Sequence, residues 1–68
     1  MAKLLDVVEL RVASGRWPAG TVATVIDELP DGVLVEVADE NGRSLDTFEV
    51  PREAVRVLPA PEQTKLSV

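Results

Sequence analysis

The chain has 68 residues, a net charge of −5 at neutral pH, and neither cysteine nor histidine. This length suffices for one small domain, disulfides are excluded, and the commonest transition-metal ligand is missing. The acidic balance disfavours non-specific binding to nucleic acids and anionic lipids. No apolar run approaches the roughly 20 residues that cross a bilayer, and the N-terminal MAKLLDVVEL lacks the pattern of a signal peptide, so we expect a cytoplasmic protein without membrane contacts.

The first predicted element is a strand over residues 6–12, where apolar and charged side chains alternate. Val8, Leu10 and Val12 would share its buried face. Residues 13–20 contain two glycines and a proline, so we expect a loop that turns sharply at its end into the next strand.

Two further strands follow, each bounded by a turn signal. Residues 21–28 are rich in threonine and valine, and residues 33–39 place alternating valines on one face. The Asp-Gly pair at 31–32 and the Asn-Gly pair at 41–42 each predict a type I′ hairpin turn, because that turn requires positive φ at both central residues.

The fourth strand is predicted over residues 43–50. Phe48 and Val50 share one face of this strand, whereas Leu45 falls on the other. A bulge near Asp46 would bring all three apolar side chains to the same face.

The end of the chain predicts one helical turn and one short strand. Residues 51–54 begin with proline, which suits the start of a helical turn, and residues 55–58 form the last strand. Residues 59–68 combine prolines with polar residues and are predicted to be a flexible tail. Five short strands with tight turns favour an all-β domain over residues 1–58, a small SH3-like barrel with one helical turn before the last strand.

Three residues are candidates for contact with a partner. Trp17, the only tryptophan, would either close one open end of the barrel as part of the core or lie exposed as an interface anchor. Leu34 lies between two valines that point inward, so its side chain faces outward. Arg43, which follows the second hairpin turn, is the third candidate. A groove for proline-rich peptides needs several aromatic residues and is not expected.

No catalytic, metal or cofactor site is expected. The acidic stretch at 39–42 suggests calcium, but its glycine and the later glutamate miss the EF-hand positions. The acidic residues at 27, 28 and 31 fall at a strand end and a turn, where carboxylates are ordinarily exposed. No serine has a histidine to activate it, cysteine is absent, and glycine-rich phosphate motifs are missing. We therefore do not expect an enzyme.

The order of these segments resembles that of a family of small bacterial proteins known as a domain of unknown function with an SH3-like barrel. The resemblance spans residues 4–58 and rests on LLDVVEL, GTVATVI, VLVEV, DENGR and VPREAVRVL. Ala23 departs from the pattern, which has glycine there, and Trp17 stands where an aliphatic residue is usual. The resemblance implies the fold and, because relatives often lie beside another small gene, some of them toxin-like, a protein partner. Six residues match the family pattern: Gly20, Thr24, Val25, Gly42, Arg43 and Pro51.

The sequence thus predicts a non-catalytic protein-interaction module, such as an acidic antitoxin or immunity protein whose negative surface covers a basic partner. An open edge strand could instead pair with a second copy and form a homodimer. The alternative function is nucleic-acid binding through a gathered arginine face, although 12 acidic residues and only two aromatic residues oppose it. The arginines of that face would be Arg11, Arg16, Arg43, Arg52 and Arg56.

Overall fold

The computed structural model describes residues 2–59. Its elements are β1 (Val7–Leu10), β2 (Val22–Leu29), β3 (Gly32–Ala38), β4 (Ser44–Val50), a 3-10 turn (Arg52–Ala54) and β5 (Val55–Val57). The prediction of an all-β chain with one helical turn before the last strand is confirmed. Apart from its first residue, the predicted tail at 59–68 lies outside the described residues. Within the described range, no helix is long and apolar enough to cross a membrane.

All five strands belong to one antiparallel sheet with the order β4-β3-β2-β1-β5. The central strand β2 takes part in two ladders: residues 22–24 pair with β1, and residues 24–29 pair with β3. The register against β3 shifts between Val25 and Asp27, so Ile26 is an extra residue at that point. Ala23 of the first ladder and Val25 of the second are both buried, so alternation directs both ladders toward one core. The bulge that follows bends and twists β2.

The core is built mainly from valine. Val8, Val25, Val33 and Val35 are completely buried, and Leu10 and Val50 lie among them. Branching at Cβ suits valine to the pleated sheet, and the alternation along β3 predicted from the sequence is confirmed. No polar side chain is buried in the part of the chain that the structure describes.

The first strand is shorter than predicted, and this removes Val12 from the core. Val8 and Leu10 are buried as expected, whereas Val12 is 56% exposed. The N–H of Arg11 donates to the carbonyl oxygen of Ala54 at 2.8 Å, at the next position of the β1–β5 register, and the chain leaves the sheet after it.

The β2–β3 hairpin turns at Pro30 and Asp31, and the prediction of an Asp-Gly turn is wrong. Leu29 pairs with Gly32, so Gly32 is already the first residue of β3, and its φ is not positive. Proline favours the first central position of a turn because its φ is fixed. A Cβ at Gly32 would overlap the carbonyl oxygen of Val50, so glycine is required here for the close approach of two strands.

The β3–β4 hairpin forms where predicted, but with a different turn. The N–H of Gly42 donates to the carbonyl oxygen of Asp39 at 3.0 Å, so Glu40 and Asn41 are the central residues. Gly42 follows with a φ of 82°, as in a type I turn with a G1 bulge. Oδ1 of Asp39 accepts the backbone N–H groups of Asn41 and Arg43, both at 2.9 Å, so this acidic stretch stabilises the turn.

A bulge on β4 lies immediately before Asp46, as predicted. The register against β3 shifts by one residue at Leu45. The bulge does not bring Leu45 into the core, since its side chain is 46% exposed. It places Asp46 on the inward-facing side of β4, two residues from Phe48.

A strained turn precedes β1. The N–H of Asp6 donates to the carbonyl oxygen of Lys3 at 3.0 Å, and the N–H of Lys3 donates to Oδ2 of Asp6 at 2.9 Å. Leu5 occupies the second central position with a φ of 68°, where a type II turn favours glycine or asparagine. The N–H of Leu5 donates to the carbonyl oxygen of Val25 at 2.7 Å, which fixes the turn to β2.

We expect Gly32→Ala to lower the free energy of unfolding by about 1–3 kcal/mol, the usual cost of added volume in a packed site. The matched control is Asp31→Ala, at the exposed neighbouring position, which should change the free energy by at most about 0.5 kcal/mol. Urea unfolding followed by Trp17 fluorescence measures both. Equal, small effects would contradict the close approach of β3 and β4.

We expect Leu5→Asn to raise the free energy of unfolding by about 1 kcal/mol, because it relieves left-handed strain. Little burial is lost, since the Leu5 side chain is 71% exposed. Leu4→Asn is the control, because Leu4 is also exposed in this turn but has no positive φ. Differential scanning calorimetry compares the two variants, and a Leu5 variant no more stable than the Leu4 variant would refute the strain.

Candidate protein-interaction surfaces

Trp17 ends a tight turn within the long connection between β1 and β2. Ser14 and Trp17 exchange two backbone hydrogen bonds, of 2.8 and 2.9 Å, around Gly15 and Arg16. Gly15 has a φ of 55°, which suits the first central position of a type II′ turn. This small hairpin lays the indole and the neighbouring guanidinium against β4.

Arg16, Trp17 and Asp46 form a group that we call the indole cluster. The Nε1–H of Trp17 donates to Oδ2 of Asp46 at 2.8 Å, and the Arg16 guanidinium carbon lies 4.6 Å from the indole centroid. Nη2 of Arg16 donates to the carbonyl oxygen of Leu45 at 3.1 Å, and its Nε is 4.0 Å from Oδ2 of Asp46. Aromatic stacking and charge therefore hold the loop on the edge strand.

The indole cluster is directed mostly inward. The indole is half-buried and packs against the valine core, as expected for a side chain that completes a small core. Its single polar atom is already bonded to Asp46. Arg16 also occupies a carbonyl oxygen of β4, which is an edge strand, and so covers part of an edge that would otherwise attract other strands.

Leu34 lies on the opposite face of the sheet. The register places Asp27 of β2 on one side of it and Glu49 of β4 on the other. Leu34 is half-buried, and both carboxylates are exposed. Because Val33 and Val35 on either side of Leu34 are buried, period-two alternation directs Leu34 away from the core.

A second row of outward side chains lies beside Leu34. Here Glu36 of β3 is flanked by Thr24 of β2 and Thr47 of β4. The two rows together contain three carboxylates and no lysine or arginine. Within the described residues, none of these carboxylates has a hydrogen bond or an ion pair. We call these six residues the outer face: Thr24, Asp27, Leu34, Glu36, Thr47 and Glu49.

Arg43 lies apart from both surfaces. It is exposed at the end of the β3–β4 turn, whereas Leu34 is near the opposite end of β3. Trp17 packs on the inner side of the sheet. The structure therefore does not bring the three sequence-predicted residues together, and each belongs to a different surface.

The other arginines lie on several elements. Nε of Arg56 on β5 lies 3.4 Å from Oε1 of Glu9 on β1, and Arg16 belongs to the indole cluster. Nη2 of Arg52 donates to the carbonyl oxygen of Leu29 at 2.7 Å, which ties the 3-10 turn to the β2–β3 hairpin. Three of the five arginines considered for a nucleic-acid face thus have structural partners.

Two residues of structural importance were missed by sequence reasoning. Asp46 was considered only for a bulge, although it accepts the indole hydrogen bond from 29 positions away. Arg52 was considered only for a nucleic-acid-binding face, although its guanidinium donates to a carbonyl oxygen 23 positions away. No local pattern reports such contacts, because each depends on how distant segments fold together.

No protein-family model, curated protein or solved structure matches this chain. The resemblance to a family of small bacterial proteins therefore stays a prediction. Any function has to be inferred from the surfaces of the chain itself.

We expect Trp17→Phe to lower the free energy of unfolding by about 1–2 kcal/mol, because it removes a donor to a charged acceptor and keeps an aromatic ring. Asp46→Ala and the double variant complete a thermodynamic cycle, with a coupling energy of about 1 kcal/mol. Urea unfolding followed by circular dichroism is suitable, since the fluorophore is lost. Strictly additive effects would contradict the indole–carboxylate bond.

Proposed function

We propose that this protein is a non-catalytic interaction module, built as an SH3-like barrel, that binds another protein through its outer face. The strand order, the long β1–β2 connection and the 3-10 turn before β5 support the barrel assignment. The proposed binding role rests on one observation: Leu34 forms an apolar centre among outward side chains whose charges have no partner within the described residues.

The arrangement of the outer face supports a protein ligand. Protein interfaces combine an apolar centre with a polar rim, and here Leu34 is bordered by Asp27, Glu49 and two threonines. Side chains on adjacent strands stand about 5 Å apart, so the face is a regular and rigid surface. The indole cluster is a weaker candidate, because its aromatic ring and its polar atom already have intramolecular contacts.

A more specific form of this proposal is that the chain is an acidic antitoxin or immunity protein. A net charge of −5 suits a partner of opposite charge, and complementary charge accelerates the encounter of two proteins. The resemblance to the bacterial family also favours a protein partner, because the genes of relatives often lie beside another small gene.

A pull-down of the tagged full chain from lysate of its source organism, with and without nuclease, tests the proposed function. We expect one stoichiometric protein that survives nuclease treatment and is lost with Leu34→Ser. Val22→Ser is the matched control, because Val22 also faces outward on a strand but lies outside the outer face, and it should retain the partner. Recovery of nucleic acid, with protein lost after nuclease, would overturn the proposal.

A further inference from the structure

We infer that the outer face binds a basic protein surface, one that presents arginine or lysine side chains around an apolar contact for Leu34. This inference deepens the proposed function and rests on it. Charge complementarity on this face favours a basic partner.

The first support is the placement of the carboxylates. Asp27 and Glu49 flank Leu34 on the two neighbouring strands, and Glu36 follows two residues along β3, roughly 7 Å away on the same face. At physiological ionic strength charges are screened over about 8 Å. Glu36 lies within roughly that distance of each flanking carboxylate, whereas Asp27 and Glu49 are roughly 10 Å apart across β3, so a ligand placed over Leu34 is near all three. Cationic side chains of a partner would relieve their mutual repulsion.

The second support is the placement of the positive charges. Arg16 and Arg56 are engaged with Asp46 and Glu9, and Arg52 is bonded to a backbone carbonyl oxygen. The remaining cations of the described residues, which include Arg43, are outside the two rows of the outer face. The cations of the described residues therefore lie outside the outer face and do not neutralise its negative charge.

The third support is Leu34 itself. A simple cation gains nothing from a half-buried leucine, and nucleic acids and anionic lipids would be repelled by the three carboxylates. A protein surface offers both an apolar contact and fixed cations. Arginine suits the site best, because its planar guanidinium binds carboxylates in a fork and keeps an apolar stem.

Two charge-matched variants of the full chain test the inference. The face variant carries Asp27→Asn, Glu36→Gln and Glu49→Gln. The control variant carries Asp31→Asn, Glu40→Gln and Glu53→Gln, at exposed positions outside the outer face. Each loses three negative charges and has a net charge of −2 instead of −5, so the pair separates the outer face from net charge.

The probe is a synthetic peptide of arginines around one central leucine, with the glutamate analogue as negative control. In the ¹⁵N-labelled parent, amide shifts caused by the arginine peptide should concentrate on the outer face. Calorimetric titration should show that the face variant binds the arginine peptide with about tenfold lower affinity, whereas the control variant binds it nearly as well as the parent. The reason is that only the face variant loses the exposed ion pairs with the peptide.

Three outcomes would overturn the inference. Equal weakening in both variants would mean that net charge alone attracts the peptide, and shifts centred elsewhere would move the contact to another surface. A dimer of the parent that dissociates in the face variant would assign the outer face to a second copy. If the inference fails but the pull-down still recovers a nuclease-resistant protein partner, the proposed function stands. If the pull-down recovers no such partner, the proposed function itself fails.

Discussion

The structure depends on one constraint, which is that β2 divides its length between its two neighbouring strands. β2 pairs with β1 along its first residues and with β3 along the rest. Val8 of one ladder pairs with Ala23 and Val35 of the other pairs with Val25, and alternation places both pairs on one face, so both valines reach the same core. The extra residue Ile26 then bends β2 beyond this point. The parity that buries these valines also fixes Leu34 and Glu36 on the outer face.

A core of small side chains limits how firmly the domain can be held, because a chain of this size buries only about 60% of its unfolded surface. Directed contacts at the margin of the sheet supplement the core. Trp17 of the β1–β2 connection bonds to Asp46 of β4, and Arg52 ties the 3-10 turn to the β2–β3 hairpin. Both contacts fasten a segment outside the strands to the sheet.

The regular part of this fold could be predicted from sequence because it follows local periodicity. Alternating valines predict β3 and its buried face, and Pro51 predicts the turn before β5. The parts that could not be predicted depend on contacts between distant segments. Gly32 is required because the backbone of β4 passes close to it, and not because of its own turn. The outward direction of Leu34 could be predicted from alternation, but the identity of its acidic neighbours could not, since it depends on the register between strands. Trp17 was identified as important, but its bond to Asp46 depends on how a loop folds.

The composition of the outer face is not explained by folding. Aspartate and glutamate are disfavoured in strands, whereas threonine would suit the same positions. Glu36 also lies diagonal to the like charges of Asp27 and Glu49. The described residues contain two ion pairs, Arg16–Asp46 and Arg56–Glu9, and neither involves the outer face. In the binding role proposed above, Asp27, Glu36 and Glu49 around Leu34 would receive the cations of a partner. Binding would then remove a repulsion that the isolated fold retains, which couples occupancy of the face to stability of the domain.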